Sequence, residues 1–123
     1  MNEMIASIGR HETDDLISSE KVQGTNVYNL AGEKLGRLEH FMVGKRDGRV
    51  RYAVLTFGGV LGLFENHYPL PWDALKYDEE RSGYVVNLTR EQIEGAPSYK
   101  VGREPAYDAS YGQQIYGFYG FPW

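Results

Sequence analysis

A chain of 123 residues has room for one domain and a tail, and a domain of that size covers only about 60 to 70% of its unfolded surface, so self-association would be a ready supplement to its stability. A formal charge of −4 with dispersed Lys and Arg disfavours nucleic acid as a partner, and the lack of cysteine excludes a disulfide framework or a thiolate metal site. The N-terminal stretch has no basic start followed by an apolar run, and nowhere do about 18 apolar residues occur together, so the expected location is cytoplasmic, without a transmembrane segment.

Residues 1–15 are polar, become acidic at "HETDD" and carry no hydrophobic period, which predicts a flexible lead-in. From Val22 the pattern changes to five β-rich runs separated by turn residues: "VQGTNVYNL", "EKLGRLEHFMVGK", "RVRYAVLTF", "HYPLPWDAL" and "GYVVNL". In the second run Leu35, Leu38 and Phe41 recur every third residue. Helix is the rival reading there, but Gly36 and the following Asp47-Gly48, a dipeptide suited to a tight hairpin, favour a strand bent by a bulge. In the third run Val50, Tyr52, Val54 and Thr56 fall on one face and Ala53, Leu55 and Phe57 on the other. Both faces are largely apolar, so this strand is expected to be central, or inside a barrel against a covering layer.

The run "LTREQIEGAP" predicts a short helix, with Thr89 as cap, Gln92 closing a capping box, and Gly95 and Pro97 ending it. Residues 100–123 form a tail rich in Tyr and Gly. Such a segment is either disordered or an arm that docks its aromatic rings, and docking is expected for at least "YGFYGFPW".

The stretch "FGGVLGLFENHYPLPW", residues 57–72, sets large apolar residues on a glycine-rich backbone and returns the chain through two prolines. Membrane insertion, a ligand cradle, a barrel corner and a surface for another chain all answer to that description. Basic flanks are absent and Glu65 adjoins the apolar tip, which argues against insertion. Gly58, Gly59 and Gly62 are followed by no helix start, so they do not form a nucleotide fingerprint. His11, His40 and His67 lack metal-ligand spacing, and the Asp78–Glu80 cluster lacks the pattern of a calcium loop.

In their order and spacing, "FGG", the following "LG", "PLPW" and the closing "LT" with "GAPSY" resemble the PRC-barrel family over residues 16–99, most closely its stand-alone bacterial members. The resemblance implies an all-β fold, a small, strongly bent antiparallel β-barrel, here with a short C-terminal helical turn and an aromatic tail. It also implies an assembly or adaptor module without a shared catalytic site. Family members serve in a photosynthetic membrane complex and in ribosome maturation, so peripheral association with a membrane complex stays open. The expected function is non-catalytic protein binding with formation of a homodimer and an unidentified protein partner; the alternatives are a small-ligand binder and an RNA- or ribosome-associated factor. Val60, Leu61, Leu63 and Phe64 are the expected interface, with Pro71 and Trp72 as the structural anchor behind it. No catalytic, cofactor-binding or metal-ligating residue is assigned.

Overall fold

The structure, a computed structural model, describes residues 12–57 and 66–123. A one-turn helix α1 (Ser19–Val22), capped by the Ser18 hydroxyl, precedes β1 (Asn26–Tyr28), β2 (Lys34–Val43), β3 (Val50–Phe57) and β4 (Asn66–Pro71). A 3-10 turn at Trp72–Ala74 leads to β5 (Leu75–Asp78), β6 (Gly83–Val86), α2 (Arg90–Glu94), the short β7 (Tyr99–Lys100) and α3 (Ala109–Tyr119). The strands form one sheet in the order β5-β6-β1-β2-β3-β4-β7.

This arrangement corrects the all-β antiparallel barrel in three respects. The fold is mostly β but carries a helix of 11 residues, α3. The β1–β6 pair is parallel, because β6 returns from its own hairpin with β5 and meets β1 on the side away from β2, where no tight turn dictates its direction. Among the described residues the strand order runs from β5 to β7 without joining its ends.

The bend comes from β2. Opposite β1 the register skips Leu35, since Val27 faces Gly36 and Tyr28 faces Lys34; opposite β3 it skips Glu39, since Leu38 faces Leu55 and His40 faces Val54. Each extra residue changes the phase of the strand and tightens its twist. That is why Leu35 and Leu38, three residues apart, are both buried in the core, with Phe41 packed against it. Gly36 is required at the crossing, for a Cβ there would collide with the Thr56 carbonyl.

The β2–β3 connection differs from a two-residue turn. Val43 pairs with Val50, the Gly44 and Gly48 N–H groups donate to the carbonyls of Arg49 and Gly44, and only Gly48 of the Asp47-Gly48 pair has positive φ. The Asp47 carboxylate accepts from the Arg49 N–H and from Arg51, so the side chain organises a wider loop. These bonds, the Arg49 N–H first, hold its pKa below the ordinary value.

The run expected as one strand from His67 to Leu75 breaks at Trp72, where the chain turns and the indole lodges between Phe41 and Tyr84, at ring distances of 6.1 and 5.4 Å. Pro71 is buried, whereas Trp72 is half-buried and packed against the core. Trp72→Ala is therefore expected to cost about 3 kcal/mol in urea unfolding, at the low end for loss of a large aromatic. A loss below about 1 kcal/mol would show that the anchor contributes little.

The lead-in begins to engage the fold before residue 16. Glu12 bridges to Ile17, pairs with Lys21 and accepts from the Tyr77 hydroxyl at 3.1 Å. The bond from Lys21 is the main cause that lowers the Glu12 pKa. Its contribution to stability is present above the ordinary carboxylate pKa and is lost as pH falls through the depressed value.

Candidate functional site

Paired residues share a face of the sheet, so β3 and β4 present two distinct layers. Ala53, Leu55 and Phe57 join Leu70 and Tyr68 in the main core. Tyr52, Val54 and Thr56 stand on the other face with Pro71 and Pro69, and His40 and Met42 of β2 adjoin them. All six β3 residues from Tyr52 to Phe57 are buried, as expected for a strand covered on both sides.

The second cover is the tail, which docks. The Tyr52 ring lies 5.1 Å from Tyr107 and 5.7 Å from Tyr116, and the Tyr116 hydroxyl donates to the Arg51 carbonyl at 2.6 Å. Tyr107 continues to Tyr111 at 5.2 Å, and its hydroxyl lies 3.0 Å from that of Tyr99. Helix α3 forms because Asp108 caps it, Gly120 ends it in a left-handed conformation, and its inner face buries Ile115 and packs Tyr119 on the core. Gly112 is needed where Trp123 folds back onto the helix, since a Cβ would run into the indole. The Tyr116–Trp123 rings lie 5.1 Å apart.

At the other end of this layer the structure unites His40 and His67, with ring centroids 5.5 Å apart, and His67 with Tyr99 at 5.5 Å. Sequence reading separated the two histidines because strands β2 and β4 meet only through the fold. Burial, then the neighbouring His67, lowers the pKa of His40. Glu39, next to His40 in the chain, accepts from the Thr56 hydroxyl and lies near Arg37, while His11 and Glu65 fall outside the described residues. Among the described residues no three His, Asp or Glu side chains come together in a form that could hold a metal ion.

The tyrosines of this layer share one direction of pKa shift. Burial pushes Tyr52 and Tyr111 up to about 12 and raises Tyr99, Tyr107 and Tyr119 as well. A phenol poised to act as base or nucleophile at neutral pH needs its pKa moved downward. The Tyr52, Tyr111 and Tyr119 hydroxyls are buried without a hydrogen-bond partner among the described residues, a cost accepted for the apolar area their rings cover. The layer acts as an adhesive between sheet and arm.

The expected interface, Val60, Leu61, Leu63 and Phe64, lies outside the described residues; the strands that carry it are fixed on either side by Phe57 and Tyr68, whose rings meet at 4.8 Å. The family model for the PRC-barrel domain matches residues 14–93, from the end of the lead-in through most of α2. The chain belongs to the PRC-barrel family. No curated protein matches it. The match ends before β7 and α3, so the aromatic arm of this PRC-barrel protein is an addition to the part the family model covers. Among the described residues no helix is long and apolar enough to cross a membrane.

Proposed function

We propose that this PRC-barrel protein is a non-catalytic binding module that associates with itself through the loop between β3 and β4. The observation that carries the reading is the double cover on those strands: the core occupies one face and the aromatic arm the other. Val60, Leu61, Leu63 and Phe64 follow β3 in the chain, and both faces of that strand already have partners. Four large apolar residues within five positions would seldom be left to water, and a twofold axis through them would cover both copies at once. Such a dimer would offer further surface to a second protein, in keeping with a cytoplasmic adaptor.

The test is sedimentation of the wild type and Leu63→Lys at micromolar concentration. The wild type is expected to be a dimer and the variant to dissociate, because a charge would enter the apolar contact. A monomeric wild type, or a variant that dimerises with unchanged affinity, would overturn the reading.

A further inference from the structure

The docked arm creates a groove that the sheet alone would lack. Arg49, Val50, Arg51, Asp73, Tyr116, Pro122 and Trp123 enclose about 420 Å³ beside the β2–β3 loop. One wall is apolar, made by Val50, Pro122 and the indole that folds against Gly112. The other is basic. The Arg51 guanidinium is oriented by Asp47 at 2.8 Å, while Arg49 is exposed and makes no ion pair among the described residues. The loop and strand start that form this rim, residues 44–51, carry Lys45, Arg46, Arg49 and Arg51 against Asp47, so that with Asp73 counted the groove and its rim keep an excess of positive charge within a chain whose net charge is negative.

The compensating charge lies elsewhere on the same chain. Asp14 and Asp15 are exposed, make no ion pair among the described residues, and are followed by Leu16, the most exposed large apolar side chain described, at 72%. Glu12 and Ile17 fix this short segment at both ends through their bridge, so it projects Asp14–Leu16 with little freedom to lose on binding. Two carboxylates followed by a leucine meet an excess of positive charge beside an apolar wall.

We infer that the groove receives the Asp14–Asp15–Leu16 segment of a second copy of this chain. Asp14 and Asp15 meet Arg49 and Arg51, and Leu16 covers Val50, Pro122 and Trp123. Reciprocal exchange between two copies closes the contact under twofold symmetry. The inference rests on the self-association proposed above but assigns it a second, electrostatic contact.

The test is sedimentation of the full chain at low and raised salt. The variants are Arg49→Glu, Asp15→Lys and an equimolar mixture of the two, with Leu63→Lys alongside. Arg49 is chosen because it is exposed and, unlike Arg51, holds no ion pair in the loop. Each single reversal is expected to weaken association about tenfold at low salt and to remove most of its salt dependence, since exposed pairs are screened. The mixture is expected to restore the wild-type affinity: the reversed segment then meets the reversed groove, and the two unaltered elements meet each other. Arg49→Glu with affinity and salt response unchanged, beside a dissociated Leu63→Lys, would overturn the inference and leave the loop interface standing. The opposite pair of results would support the groove and overturn the loop. A mixture no tighter than either variant would show that Arg49 faces a different partner.

Discussion

Ile115→Asp is expected to cost about 3 to 5 kcal/mol and to undock the whole aromatic arm, because it replaces a fully buried aliphatic side chain with a carboxylate that has no partner. Helix α3 holds only a small share of its stability locally. Two glycines and several aromatic residues give it poor intrinsic propensity, and a helix of 11 residues is marginal in water without packing. Once Ile115 leaves the interface, Tyr116 and Trp123 lose their support, and Tyr52 is left facing solvent. The control is Phe118→Asp, three residues on and largely exposed, for which a change below about 1 kcal/mol is expected. Amide exchange across 105–123 should become fast in the first variant and stay slow in the second. Equal protection in both would mean that Ile115 is not what fixes the arm.

The arm also shows where sequence reading ran short. Tyr111, Ile115 and Tyr119 recur every fourth residue between a capping Asp108 and a terminating Gly120, a helical signal in hindsight. Its low-complexity composition masked that stripe, since the residues gain helical structure from docking and not from propensity. By contrast, the capping box of Thr89 and Gln92 was legible because every atom it needs lies within four residues. The double cover of β3 was legible too, from apolar residues on both alternating faces, and the bulges announced themselves in the threefold spacing of Leu35, Leu38 and Phe41.

What could not be read depends on contacts remote in sequence. The parallel β1–β6 pair and the meeting of His40 with His67 follow from how β5–β6 and β4 are carried around the bent β2. The groove beside Arg49 requires Tyr116 and Trp123 to return to the β2–β3 loop, which no local pattern specifies. The two-residue turn expected at Asp47-Gly48 failed for a local reason instead: the Asp47 carboxylate binds backbone and Arg51 within the loop, an option more favourable than a turn that would force it to positive φ.

Alkaline titration is expected to open the protein cooperatively. Eight of the ten tyrosines have raised pKa values, with burial as the first cause in each: Tyr52, Tyr77, Tyr84, Tyr99, Tyr107, Tyr111, Tyr116 and Tyr119. A phenol with a raised folded value is held neutral by the fold, whereas in the unfolded chain it ionises near pH 10. Stability from these groups is therefore complete below about pH 10 and falls as pH rises toward the folded values, because the unfolded state then releases more protons. Tyr52, buried and pushed up to about 12, alone would forfeit about 2 to 3 kcal/mol by that pH. Several such groups in one layer exceed what a domain of this size can lose. Tyrosinate absorbance should show a single steep rise above pH 10 that coincides with loss of near-ultraviolet circular dichroism. The Ile115→Asp variant, with its arm undocked, should move part of that rise down toward pH 10. If these eight tyrosines of the wild type titrate near pH 10 while the fold persists, the aromatic layer is open to water and the arm does not cover the sheet.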